Sequence, residues 1–209
     1  MNNDLLNQSN FDKEYYFSTD WFTYNIPIWE KYFKDNNLLG REEVKCLEIG
    51  CFEGRATLYL LENILTHPTS SIDVIDTFNG SINESGMSNL SLNDLLDRFK
   101  YNTRKYNHKI NIFIGESYKI LKSFDCYPKY DIIYIDGSHI ASNIIEDAIM
   151  SHHLLKQYGL LIFDDYLWKD NTTTHKLPKI AIDAFITIYD EFYEILWSDY
   201  QVICKKKKI

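Results

Sequence analysis

Three aspartates close two apolar runs in the second half of the chain. Asp136 ends D-I-I-Y-I-D, and Asp164 and Asp165 end G-L-L-I-F-D-D. If those runs are neighbouring strands, three carboxylates converge. Carboxylates packed together repel, and desolvation raises their pKa values unless a cation is present. An all-oxygen set suits Mg²⁺, Mn²⁺ or Ca²⁺ rather than zinc, and such an ion lowers the pKa of a bound hydroxyl. His139 follows Asp136 in D-G-S-H, behind Gly137, which permits a sharp turn. An imidazole with a near-neutral pKa is a natural general base. The competing reading is local, since strand-end aspartates often serve turns and His139 would then cap the helix that begins near Ala141.

A second group lies earlier, in E-I-G-C-F-E-G (Glu48 to Gly54). Gly50 lets the backbone turn tightly and approach a ligand, and Gly54 allows close helix–strand packing. A pyrophosphate site wants backbone N–H groups and no nearby anions. This turn carries Glu48 and Glu53 and lacks the third glycine of G-x-G-x-x-G. Its carboxylates would repel a dinucleotide but tolerate an ammonium and a sulfonium, the cationic groups of S-adenosylmethionine. Asp76 ends S-I-D-V-I-D, where an acid accepts hydrogen bonds from ribose hydroxyls. Gly115, Glu116 and Ser117 follow a third apolar run. They read as a wall for an adenine, with Ser117 also a candidate cap for the next helix.

The elements that must hold these groups alternate. Strands are expected at Val44 to Ile49, Ser71 to Asp76, Ile110 to Ile114, Asp131 to Asp136 and Gly159 to Asp165. Helices are expected at Ala56 to Leu65, Leu92 to Tyr106, Ala141 to about Lys156 and from Pro178 onward, a favoured place for proline. Residues around Glu194 to Trp197 and Tyr200 to Cys204 can form a hairpin. Continuous apolar strands between helices predict a doubly wound α/β sheet, mostly parallel and covered on both faces. Its ligands sit at the carboxyl ends of the strands. The Gly-, Asn- and Ser-rich residues 77–90 read as a long loop of the kind that often serves as a lid. An amphipathic helix is expected from Ile26 on.

The 209 residues suit one domain, spanning 21–205, with a polar, partly mobile segment 1–20 and a basic tail 206–209. Net charge is −8; without Lys205 to Lys208 the body carries 18 basic against 30 acidic residues. That argues against a nucleic-acid partner. The four cysteines form no C-x-x-C pair, the pattern expected of reduced thiols in a cytoplasmic protein. Neither a signal peptide nor an apolar run of membrane-spanning length is read in the chain.

In L-E-I-G-C-F-E-G-R-A-T, I-D-T-F-N-G-S, I-Y-I-D-G-S-H and L-L-I-F-D-D-Y, over roughly residues 20–205, the chain resembles the class I S-adenosylmethionine-dependent methyltransferases. It is most similar to the macrocin and mycinamicin type of macrolide-sugar O-methyltransferase, with the catechol type more distant. The resemblance implies a Rossmann-like, seven-stranded, mostly parallel sheet ending in an antiparallel hairpin strand. It implies Glu48, Gly50 and Phe52 at the methionine end of the cofactor, Gly54 also in the cofactor-binding set, Asp76 at the ribose, and Gly115, Glu116 and Ser117 at the adenine. It also implies Asp136, Asp164 and Asp165 as ligands of a divalent metal, with His139 as the base acting beside Asp136. The acceptor would be a small molecule or glycan hydroxyl, and self-association into a homo-oligomer is common among relatives. Ala56 departs from the pattern, since relatives often carry Ser there.

Overall fold

The computed structural model describes residues 14–80, 94–169 and 177–208. Most of the expected loop 77–90 falls outside them. Helix α1 spans Ile26–Asp35 and is followed by strand β1, Lys45–Ile49. Helix α2, Arg55–Tyr59, continues into a wider π turn, Leu60–Ile64, which buries Leu60, Leu61 and Ile64. Then come β2 (Ser71–Asp76), α3 (Leu95–Thr103), β3 (Ile110–Ile114) and α4 (Ser117–Leu121). The second half contributes β4 (Tyr130–Ile135), α5 (Ala141–Leu154), β5 (Leu155–Phe163), α6 (Pro178–Ile188), β6 (Tyr193–Ser198) and β7 (Val202–Lys206).

The seven strands lie in the order β3-β2-β1-β4-β5-β7-β6. The first five are mutually parallel, and β7 runs antiparallel to both β5 and β6. Because successive side chains of a strand face opposite ways, each central strand feeds two cores. Cys46, Val74, Ile132 and Leu160 pack with Trp29 and Phe33 of α1, the buried π-turn residues and Phe99 of α3. Leu47, Ile75, Ile133 and Leu161 pack on the other face with Ile144 and Ala148 of α5 and Ile182 and Phe185 of α6. Burial on both faces is why these strands read as unbroken apolar runs. The order reverses between β1 and β4, and the carboxyl ends of those two strands open a crevice there.

Residues 1–13, most of the segment expected to be partly mobile, lie outside the described residues. Residues 14–20 are tied down: Tyr15 Oη donates to Glu62, and the Tyr16 backbone exchanges two hydrogen bonds with Asn102. The expected boundary at 206 falls inside β7, where Lys206 Nζ donates to the carbonyls of His152 and Leu155. Strand β5 begins at Leu155, directly after α5, rather than at Gly159. Among the described residues no helix is long and apolar enough to cross a membrane.

Candidate active site

A cavity of about 660 Å³ opens along the carboxyl ends of the parallel strands. At its centre the β1–α2 turn approaches the end of β4 so closely that a Cβ on Gly50 would lie 2.0 Å from the Asp136 carbonyl oxygen. Gly50 also has φ +83°, a region that glycine enters without steric cost. Its need for glycine thus comes from chain packing as well as from ligand approach. Asp76, at the end of β2, holds the turn in shape. Its Oδ2 accepts the N–H groups of Cys51 at 2.8 Å and Phe52 at 2.9 Å, and its Oδ1 accepts that of Phe78 at 2.7 Å. Asp76 also lines the cavity. Phe52, at φ 48°, packs its ring on Trp21 with centroids 5.3 Å apart.

The two glutamates of the turn do not make it negative in the way their types suggest. Glu48 is buried in β1 and accepts the Thr57 hydroxyl at 2.5 Å. Burial above all, with the nearby Asp76, pushes its pKa up to about 8 against the pull of Thr57. Glu53 is also buried, and Arg98 of α3 pairs with it at 2.8 Å. The expected electrostatic ground against a pyrophosphate is therefore weaker than the residue types imply. Gly54 is a correction as well. It is not among the cavity-lining residues, and a Cβ there would meet the Phe99 ring at 2.9 Å. It packs against α3, neither touching the cavity nor closing on a strand. Gly115, Glu116 and Ser117 do line the cavity. Glu116, not Ser117, occupies the cap position of α4, and its carboxylate pairs with Lys119. Ser117 instead lies beside buried Asp147 of α5.

At the other end of the cavity Asp136, His139 and Asp165 bring potential ligand atoms within 4.8 Å of one another. His139 Nε2 lies 2.7 Å from Asp165 Oδ2, and its ring packs on Trp168 with centroids 4.6 Å apart. Ile140, not His139, sits at the cap of α5. The expected ligand set was Asp136, Asp164 and Asp165; the structure puts His139 where Asp164 was expected. Asp164 also borders the cavity but is held from the core side, where Gln201 Nε2 donates to its Oδ2 at 2.9 Å and the Tyr134 hydroxyl bonds the same atom. Its Oδ1 accepts the Asp165 N–H at 2.7 Å. Burial, then the charge of Asp165, raises its pKa to about 6. Asp136 accepts the Tyr134 hydroxyl at 2.8 Å. Burial and the adjacent Asp164 and Asp165 hold its pKa well above the usual carboxylate range.

A family model described as a methyltransferase domain matches residues 47–166, from β1 through the Asp164–Asp165 step. The chain belongs to this methyltransferase family. The doubly wound sheet is the Rossmann-like fold of the S-adenosylmethionine-dependent methyltransferases, as the motifs implied. An O-methyltransferase from Bacillus cereus, solved with S-adenosylhomocysteine, is 15% identical with a TM-score of 0.64, covering 91% of this chain and 84% of that one. MycE of the mycinamycin pathway, solved with Mg, S-adenosylhomocysteine and mycinamycin VI, is 14% identical with a TM-score of 0.57, covering 91% and 51%. A curated but uncharacterised protein of Acanthamoeba polyphaga mimivirus is 26% identical over 136 residues, 62% of this chain. The chain spans about half the length of that relative, 55%.

In this methyltransferase several site residues carry no motif. Trp29 Nε1 donates to Gln201 Oε1 at 2.7 Å, so α1 and the β6–β7 turn together hold Asp164 from behind. Tyr200, on the same turn, feels the charge of nearby Asp165 and packs edge-on against Tyr24. Tyr24 and Trp21 line the cavity yet stand 54% and 45% exposed, so these two rings are not core. Phe22 and Trp29, their neighbours in sequence, are core.

Proposed function

We propose that this chain is an S-adenosylmethionine-dependent O-methyltransferase that methylates a hydroxyl of a sugar or other small molecule. One observation carries the reading: the Asp136–His139–Asp165 cluster opens into the same cavity as the Gly50 turn and Asp76. The cofactor's ribose would lie against Asp76 at the end of β2, with Gly115 and Ser117 beside the adenine. The methionine end would lie along Gly50 and Phe52, near Glu48. The acceptor would enter between Tyr24, Trp168 and Tyr200, rings suited to the apolar face of a ring substrate.

The acid cluster fits a divalent cation. Two carboxylates and an imidazole are brought together, and the raised pKa of Asp136 is the response of a buried acid whose neighbours are also acids. Asp136 and Asp165 would hold Mg²⁺, Mn²⁺ or Ca²⁺, with Asp164 bracing them. Bound there, such an ion lowers the pKa of the acceptor hydroxyl. His139 Nε2 exchanges Asp165 for the hydroxyl and takes its proton. The oxygen forms a bond to the methyl carbon as the carbon–sulfur bond breaks, and S-adenosylhomocysteine leaves. Holding both reactants in line at one sheet edge supplies much of the rate gain.

A second reading makes His139 the third ligand, which the 4.8 Å grouping favours. Methyl transfer from labelled S-adenosylmethionine to a panel of glycosides, sugar nucleotides and phenols, with and without EDTA, tests the function. Transfer lost with EDTA and restored by Mg²⁺ supports it. Transfer only to nitrogen or carboxylate acceptors, or unaffected by EDTA, sinks the metal-assisted reading. Cofactor binding without transfer to any acceptor would make the chain a binding module. Mg²⁺ binding retained in His139→Ala marks the base; binding lost marks the ligand.

A further inference from the structure

Glu53 lies in the cofactor turn and lines the cavity, yet its carboxylate is held by groups outside the sheet. Oε2 accepts the Ser18 N–H at 2.7 Å, and Oε1 accepts the Ser18 hydroxyl at 2.7 Å and Arg98 Nε at 2.8 Å. Its backbone carbonyl accepts Asn102 Nδ2 at 2.8 Å, and the same amide group donates to the Tyr16 carbonyl at 2.7 Å. Beside it, Arg55 donates to the Thr19 carbonyl at 3.0 Å and lies 4.1 Å over the Phe17 ring. Residues 14–22 therefore form a strap tied to the turn and to α3 at successive points. The strap is not bystander chain, since Phe17, Thr19, Trp21 and Phe22 are part of the cavity wall.

A merely structural ion pair between α3 and the turn would need only Arg98. Glu53 also gives both its oxygens to Ser18, a residue outside the doubly wound sheet. Such charge-assisted bonds are stronger than neutral ones. They bind the strap to the same peptide segment that the ligand must touch, since Phe52, next to Glu53, stacks on Trp21 of the strap.

We propose that Glu53 is a positioning residue for S-adenosylmethionine: it latches the N-terminal strap against the glycine turn, so that the strap forms one wall of the cofactor crevice. The proposal rests on the cofactor named above. It concerns how the crevice is closed, not which acceptor is methylated.

The test reads strap release and cofactor affinity together. Chymotrypsin cleavage at Tyr15, Tyr16 and Phe17 reports release, and calorimetry with S-adenosylhomocysteine reports affinity. In wild type, saturating S-adenosylhomocysteine is expected to slow cleavage. Glu53→Gln keeps the side-chain shape but loses the charge shared by Ser18 and Arg98. It is expected to speed cleavage and weaken S-adenosylhomocysteine each by about tenfold, the scale of one hydrogen bond to a charged group. Ser18→Ala removes one bond and is expected to shift both readouts the same way by roughly threefold. It carries the test if Glu53→Gln does not fold. In a Glu53→Gln, Ser18→Ala double variant the effects should fall short of additive, because both changes break one latch. Faster cleavage with unchanged affinity overturns the proposal, as does lost affinity with the strap still protected. No S-adenosylhomocysteine binding by wild type overturns the cofactor assignment instead, a separate outcome.

Discussion

On the β1–β3 side of the cavity each acid already has a partner within the chain. Glu53 has Arg98, Glu48 has the Thr57 hydroxyl, Asp76 has three backbone N–H groups and Glu116 has Lys119. On the β4–β5 side Asp136, Asp164 and Asp165 face one another, and among the described residues no Lys or Arg pairs with them. Their partners are a phenol, an amide and an imidazole. The first side is finished by folding, its charges satisfied before any ligand arrives. The second keeps like charges close in a buried place, an arrangement that gains stability when a cation or a proton is supplied. Under the proposed function, a cofactor that needs holding and an acceptor hydroxyl that needs activating would call for these two environments.

The largest effect should separate the two sides. His139→Ala is expected to lower methyl transfer by about 10²–10⁴-fold, the range for losing a general acid or base, while S-adenosylhomocysteine binding stays as in wild type. Steady-state rates and calorimetry on the same preparation check it. A matching loss of binding would mean that the two sides are one coupled unit.

Gly50→Ala should damage both sides together. The added methyl would collide with the Asp136 carbonyl, and the backbone there is left-handed. The combined strain and overpacking should cost roughly 2–5 kcal/mol of stability, read by denaturant unfolding. A variant of near wild-type stability would show that the β1 turn and the end of β4 are freer to part than their contact implies.

The next effect concerns pH. Glu48 unfolds to an ordinary glutamate near 4.5 but holds its proton to about 8 when folded. The folded state therefore binds the extra proton between those values, and this contribution to stability is full below pH 4.5 and lost as pH rises to about 8. Asp164 acts in the same sense between 3.8 and about 6. The melting temperature of the free protein should fall across this window, and Glu48→Gln should remove the upper part of the slope. Mg²⁺ should flatten only the part due to the β4–β5 acids. An unchanged slope in Glu48→Gln would mean that Glu48 is ionised in the fold.

The two sides also differ in how far residue order reveals them. The strands were readable because burial on both faces makes their apolar runs continuous, and the cavity could be placed because every chemically suggestive residue follows a strand. Asp76 and the Asp136–His139 pair were legible for that reason. The partners were not. Arg98 lies 45 residues from Glu53, and Gln201 lies 37 from Asp164. Which strand-end carboxylate is held from behind depends on those distant donors, so the grouping of His139 rather than Asp164 with Asp136 and Asp165 was not legible. Gly54 misled because glycine serves close packing as readily as ligand approach. The π turn at Leu60–Ile64 escaped because its buried residues, Leu60, Leu61 and Ile64, keep the three- and four-residue spacing of an ordinary helical face.

The smallest expected effect tests whether the cofactor side is in fact finished. Ala56 lines the cavity in the first turn of α2, where backbone N–H groups lack helical partners and anions are favoured. The carboxylate of a bound methionine moiety placed along Gly50 and Phe52 would lie near these groups. A hydroxyl at position 56 would add one donor to that carboxylate without crowding the core, since a serine differs from alanine by a single oxygen. Ala56→Ser should therefore tighten S-adenosylhomocysteine by about two- to tenfold, the span of one net hydrogen bond of 0.5–1.5 kcal/mol, with little change in melting temperature of the free protein. Calorimetry on the two proteins decides it. Equal affinities would mean either that the methionine carboxylate is already saturated with backbone donors or that it lies elsewhere in the crevice.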